Sequence, residues 1–214
     1  MTVVMQEFPL TVGKILDHAA KYHPNRKVIS RSVEGPITQT NWSNIHHQAK
    51  KLSQALVSMG IQTGDVIGVM AWNTARHFEV WYGVPGAGAV NHTLNPRLFA
   101  DQLVYIINHA EDRFLLIDFD LIPIIENIWD RLEAVEKVIV MTDREHMPES
   151  SIPDLLCYEE LLAEQDGNFD WVEVEETAPC GICYTSGTTG DPKGVVYTHR
   201  SNTLHALASS SPDM

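Results

Sequence analysis

Residues 184–194 read Tyr-Thr-Ser-Gly-Thr-Thr-Gly-Asp-Pro-Lys-Gly, and the order of these residue types decides both fold and chemistry. Gly187, Gly190 and Gly194 free the backbone to take positive φ and approach a ligand closely. The hydroxyls of Thr185, Ser186, Thr188 and Thr189 donate hydrogen bonds to anionic oxygens without adding bulk. Pro192 stiffens the exit, and Lys193 supplies one mobile point charge. Many small donors, a deformable backbone and one cation suit a polyphosphate. A ligand-free Gly/Thr hairpin loop is the plainer reading of each residue alone; the ordered string favours the phosphate.

The flanks fix the local topology. Ile182, Cys183 and Tyr184 precede the loop, and Val195, Val196, Tyr197 and Thr198 follow it, all strand-like. A Walker A loop needs Gly-Lys followed by Ser or Thr and then a helix. Here Lys193 precedes Gly194 and a β-branched run, so the order is strand, loop, strand. No helix dipole aims at the ligand; hydroxyls, backbone N–H groups and Lys193 must do the holding.

Alternating helix and strand signals fill the rest of the chain. Thr11 is placed to cap a helix over residues 11–22, and residues 27–33 read as a strand. Asn41 opens a helix with apolar Ile45, Ala49, Leu52, Leu56 and Met59 on one stripe, closed by Gly60. Residues 66–70 form a buried strand, and Asn73 is read as the cap of a helix carrying Phe78, Trp81 and Tyr82. A small-residue segment, 86–89, ends it. Helices over 100–110 and 121–132 then alternate with strands over 114–117 and 137–141. A short helix over 158–165 and a helix from Arg200 complete the pattern. It predicts an α/β fold with a parallel, doubly wound sheet flanked by helices and a phosphate loop between two strands.

Composition narrows the class. The chain has 214 residues, 44% hydrophobic and 20% charged, as in ordinary globular proteins. No apolar run reaches the roughly 20 residues of a membrane span. The first residues lack a signal-peptide pattern, and three cysteines form no disulfide framework, so a soluble, cytoplasmic protein is expected. Residues 143–177 hold 12 acidic residues against one basic, so −11 of the net −13 lies there. That balance excludes a basic nucleic-acid face, and the stretch reads as an acidic surface excursion between core strands.

Other constellations are weaker. Cys180 and Cys183 have metal or redox spacing, yet no second cysteine pair exists, and strand packing is the favoured reading. Among ten histidines, His46 and His47 point apart on a helix, and His92 and His109 suit surface or cap roles. His199 follows the strand that leaves the loop, where a structural hydrogen bond is favoured over ligand contact.

The 184–194 string resembles the phosphate loop of the adenylate-forming, or AMP-binding, superfamily of acyl-CoA synthetases, luciferases and peptide-synthetase adenylation domains. The upstream segments Phe78-Glu79-Val80-Trp81-Tyr82-Gly83, Gly86-Ala87-Gly88-Ala89-Val90, Asn95-Pro96-Arg97 and Ile107-Asn108-His109-Ala110-Glu111-Asp112 are similar to the early core of bacterial fatty-acid–CoA ligases. The resemblance covers nearly all of residues 1–214 and leans toward medium- and long-chain acyl-CoA synthetases. Relatives that activate methylmercaptopropionate share the style, so the acid stays open.

The resemblance implies that residues 1–214 are the N-terminal portion of the AMP-binding domain, lacking later nucleotide motifs and the C-terminal domain. It implies ATP, Mg²⁺ and coenzyme A as cofactor and co-substrates, and a small-molecule carboxylic acid as partner. Thr185, Ser186, Gly187, Thr188, Thr189 and Gly190 would bind the nucleotide phosphates, Lys193 would be catalytic, and Thr188 would contact the metal. Asp191, a charged departure at a variable position, is expected to face solvent. The 214 residues alone are expected to be inactive, a non-catalytic binding or dimerisation piece. Their 41–141 core, left without its usual cover, is expected to drive a homodimer.

Overall fold

Phe114, Leu115, Leu116 and Ile117 are all fully buried in β5 (Asp112–Ile117). Side chains alternate across a strand, so a strand buried along its length needs cover on both faces. Phe114 and Leu116 join one apolar cluster with Leu52, Leu56, Val80 and Tyr158. Those residues come from α2 (Trp42–Ser58), α3 (Ala75–Gly86) and α6 (Tyr158–Ala163). Leu115 and Ile117 join a second cluster with Leu103 and Ile106 of α4 (Ala100–Ala110) and Ile122 and Ile125 of α5 (Ile122–Glu126).

The computed structural model describes residues 8–185 and 191–211. Its large sheet runs β7 (Leu156–Cys157), β6 (Lys137–Val140), β5, β3 (Val66–Met70), β4 (Val90–Thr93), β8 (Pro179–Thr185), β9 (Lys193–Thr198). Every neighbouring pair is parallel except β8 and β9, which are antiparallel. The chain enters at β3, steps one way to β4, crosses back for β5, β6 and β7, then returns for β8. That is the expected doubly wound order, with helices on both faces. Outside it, β1 (Lys27–Arg31) and β2 (Ile37–Asn41) form an antiparallel hairpin. Helices α1 (Gly13–Tyr22) and α7 (His199–Ser209) flank the two ends of the chain.

Local sequence explains most elements. In α2, Ile45, Ala49, Leu52 and Leu56 form a fully buried stripe. The Asn41 side chain accepts the Asn44 N–H at 2.9 Å, and Gly60 leaves the helix at φ 93°. Thr74 rather than Asn73 caps α3, accepting the His77 N–H. Thr11 does not cap α1: Val12 occupies that position, and its N–H donates instead to His199 Nδ1 at 3.3 Å. The expected helix over 121–132 is divided into 3₁₀ turns and α5, because Pro123 sets a start and Asn127 and Ile128 favour a stop.

Four further expectations change. The segment after residue 89 continues into β4, and His92 lies within it, completely buried. The strand read over 27–33 ends at Arg31 and turns into β2. The acidic stretch also builds structure: it supplies β7 at the sheet edge and the buried Tyr158 and Leu162. Its Trp171 donates from Nε1 to Asp17 at 2.9 Å and packs against the backbone of Gly86 and Gly13. The 41–141 core is covered on both faces by the chain itself, so the premise of an uncovered core does not hold. Exposed apolar side chains are scattered, among them Ile29 and Ile37 of the hairpin, Phe99, and Val195, Val196, Leu204 and Leu207 of β9 and α7.

Close packing of α3 on α2 rests on Gly83. A Cβ there would lie 2.9 Å from the Ala49 carbonyl oxygen and 2.9 Å from a Leu52 methyl. The backbone contact cannot yield as a flexible side chain would. Gly83→Ala is therefore expected to destabilise the fold by about 1–3 kcal/mol. Urea unfolding should show the lowered midpoint with an unchanged slope.

Candidate functional site

Strand pairing places the two ends of the loop. Thr185 lies opposite Lys193 in the β8–β9 register, and Tyr184 lies opposite Gly194. Residues directly opposite in an antiparallel pair project to the same face, so the Thr185 hydroxyl and the Lys193 ammonium emerge side by side. Both are exposed, as is Asp191, which faces solvent as expected. Residues 186–192 join the strands. Ser186, Gly187, Thr188, Thr189 and Gly190, the remaining sequence-predicted phosphate and metal residues, lie outside the described residues. Thr198 then caps α7, accepting the Ser201 N–H at 3.1 Å. His199 is buried and accepts from Val12, the structural role favoured from sequence, and burial holds its pKa down.

Next to β8, on β4, sits a polar group that periodicity does not reveal. His92 and Asp112 are both fully buried, with His92 Nδ1 2.9 Å from each carboxylate oxygen. A surface or cap role for His92 is thus overturned: it faces inward from β4 because Asp112 waits there. Gly68 of β3 leaves the room, since a Cβ would stand 2.7 Å from an Asp112 oxygen. Burial pushes the Asp112 carboxyl up to about 6, with the His92 hydrogen bond pulling it down. The His92 ring lies 5.0 Å from that of Tyr184. The Tyr184 hydroxyl is hydrogen-bonded to His109 Nδ1 at 2.6 Å.

Two cavities lie along α3 and β4, the first of them also against β8. One of about 510 Å³ is bounded by Trp81, Asn91, Thr93, Cys183, Tyr197 and His205. Another of about 390 Å³ is bounded by Asn73, His77, Phe78 and Tyr82, and shares Trp81 and Thr93 with the first. Aromatic and aliphatic walls with a few polar groups are the usual make-up of a small-molecule site. Cys157 and Cys180 are buried and Cys183 is half-buried. Cys180 accepts from Asn202 Nδ2, and its thiol pKa is raised by burial; Cys183 meets the Thr93 hydroxyl. A thiol held protonated is a poor metal ligand or nucleophile.

Comparison with known proteins places this geometry. The AMP-binding enzyme family matches residues 16–213. A 3-methylmercaptopropionyl-CoA ligase of Ruegeria lacuscaerulensis is 44% identical over 210 residues, 98% of this chain and 39% of that protein. A medium-chain-fatty-acid–CoA ligase of Ectopseudomonas oleovorans is 43% identical over 98% of this chain and 38% of its own length. The chain spans about two fifths of these curated relatives. Among solved structures, the anthranilate CoA ligase AuaEII superposes with a TM-score of 0.83 at 21% identity, over 97% of this chain and 38% of that one. A Phrixothrix hirtus luciferase gives 0.82 at 22% identity, over 98% and 50%. Both share the fold.

A second polar cluster lies away from the loop, around Arg76. Its guanidinium donates to Glu34 at 2.6 Å and to Glu159 at 2.8 Å. Glu34, Asp143 and His146 are, among the described residues, the carboxylate–histidine group close enough to share a metal. They sit beyond β6, separated from β8 by three strands, and Glu34 is already engaged by Arg76 and Thr142. Nearby Glu79 is buried and accepts the Tyr158 hydroxyl at 2.9 Å. Burial pushes its pKa up to about 8. Folded Glu79 therefore binds more protons than the unfolded chain between its ordinary pKa and 8. Its favourable contribution is complete at low pH and is lost as pH rises through that window. Relative to Glu79→Gln, wild type is expected to lose stability between pH 5 and pH 8. Urea titrations of both at the two pH values check the sign.

Proposed function

The chain belongs to the AMP-binding enzyme family, and on that premise we propose that the whole protein is an AMP-forming acid–thiol ligase. A carboxylate oxygen attacks the α-phosphorus of ATP, the bond from that phosphorus to the bridging oxygen breaks, and pyrophosphate leaves. The coenzyme A thiol, losing its proton, then attacks the acyl carbon and releases AMP. The observation that supports this reading best is the β8–β9 register, with Thr185 and Lys193 opposed at the mouth of a Gly/Thr loop.

In this reading Thr185, Ser186, Gly187, Thr188, Thr189 and Gly190 wrap the β- and γ-phosphates. Lys193 balances the charge that grows on the departing pyrophosphate. Hydroxyl oxygens are the hard donors Mg²⁺ prefers, so Thr188 is the proposed contact for a metal that arrives with the nucleotide and neutralises its phosphates. The acid is proposed to be a medium- or long-chain fatty acid, with methylmercaptopropionate as the alternative. Both follow from what the relatives are named for, and the cavity beside Cys183 could seat an apolar tail. A cytoplasmic site of action accords with the absence, among the described residues, of a helix long and apolar enough to cross a membrane. A homodimer of residues 1–214 is proposed, through exposed apolar side chains such as those of β9 and α7.

Acid-dependent exchange of pyrophosphate into ATP, run on the whole protein with a panel of carboxylic acids, tests the activity and names the acid. Lys193→Ala is expected to lower kcat of adenylation by about 10²-fold, the scale of removing one preorganised stabiliser. Unchanged turnover would remove Lys193 from the mechanism. Residues 1–214 alone are expected to give no acid-dependent exchange, and measurable exchange by that piece would contradict the expectation.

A further inference from the structure

We propose that His92 is a positioning residue for nucleotide binding: aimed by Asp112, its ring holds Tyr184 of β8 against Gly194 of β9 and so fixes the neighbouring pair Thr185 and Lys193. The inference rests on the ligase reading above and extends it into the sheet.

The contacts form a chain across five strands and one helix. Gly68 on β3 makes room for Asp112 on β5. Asp112 takes the Nδ1 side of His92 on β4 through both oxygens, which fixes the plane of the imidazole. That ring lies 5.0 Å from Tyr184 on β8, at a tilt of 46°. Tyr184 is held from a second side by His109 of α4, through its hydroxyl at 2.6 Å and an edge-on ring contact. On a third side is Gly194 of β9, where a Cβ would come within 3.2–3.4 Å of three Tyr184 atoms. Tyr184 thus touches both strands that carry the loop. The next residue is Thr185, whose partner in the register is Lys193.

Stability alone does not call for this arrangement. A buried histidine–carboxylate couple is matched or bettered by apolar side chains of the same volume. Among the described residues His92 Nε2 is buried without a hydrogen-bond partner, a further cost that an apolar residue would avoid. What the couple supplies is one ring orientation. A misplacement of about 1 Å in a reacting group costs up to roughly 10²-fold in rate, so a fixed Thr185 and Lys193 pair has a use.

Two variants of the whole protein separate positioning from packing. His92→Asn keeps an amide N–H toward Asp112 and removes the ring. The double variant His92→Phe with Asp112→Asn keeps a ring against Tyr184 and removes the charge. In acid-dependent pyrophosphate exchange, His92→Asn is expected to raise the KM for ATP about tenfold while the KM for the acid stays within about twofold. The double variant keeps a ring but loses the couple that aims it, so its ATP KM is expected to stay about tenfold above wild type. An unchanged ATP KM in His92→Asn overturns the inference. So does a fall in kcat that tracks only the folded fraction measured by circular dichroism, or a double variant whose ATP KM returns to within about threefold of wild type. If His92→Asn does not fold, the double variant decides by itself: an ATP KM within about threefold of wild type overturns the inference. Wild-type protein that exchanges with no acid overturns the ligase reading and this inference with it. Wild-type exchange with unresponsive variants overturns this inference alone.

Discussion

β8 is bound on one edge to β4 in parallel and on the other to β9 in antiparallel, and that change of direction constrains everything that happens at the loop. Parallel neighbours need a long crossover, as β3 and β4 do through α3. Antiparallel neighbours can be joined directly, and residues 186–192 join them. The connection therefore returns as a strand, and the first helix after it, α7, begins only at His199. An anion held here receives no helix N-terminus. In the proposed function its charge is met by hydroxyls, loop amides and Lys193, and the string is rich in threonine and carries one lysine. A Gly-Lys-Ser/Thr loop before a helix solves the same problem with different parts.

The rest of the fold keeps β8 in place. Both faces of the central strands are covered, so the sheet cannot shift its register without moving apolar side chains into water. Packing is close enough that small residues matter at specific contacts: Gly83 against the α2 backbone, and Gly68 against Asp112. The acidic stretch before β8 is anchored by Trp171 on Asp17 and by the Val172 N–H donating to the Gly86 carbonyl at 2.8 Å. These contacts tie the chain to α1 and α3 shortly before it enters the sheet.

How far the sequence foretells this depends on the range of the interaction. The α2 stripe and the Phe114–Ile117 run were legible because their periodicity is local. The two strands that flank residues 186–192 were legible because β-branched and aromatic residues stand on both sides of a Gly/Thr-rich string. β4 was not: Asn91, His92 and Thr93 look polar, and only a partner twenty residues on in another strand turns His92 inward. The two-residue β7 carries too little pattern to read, and the exposed Thr-Gln-Thr of β2 has no apolar face. Tyr158 and Glu79 likewise meet across 79 positions, so their shared burial was invisible locally. The alternation of Val90 and His92 with Asn91 and Thr93 was the one available hint of β4, together with its β-branched ends.

We propose that the nucleotide's terminal phosphates are held by the segment that joins β8 to β9. Photo-crosslinking of the whole protein with an ATP derivative carrying an aryl azide on its γ-phosphate tests it most directly. The account predicts that digestion and mass spectrometry recover the label on the peptide spanning residues 185–193, and that excess unmodified ATP abolishes it. Label that is competed by ATP yet confined to peptides outside that segment would contradict it.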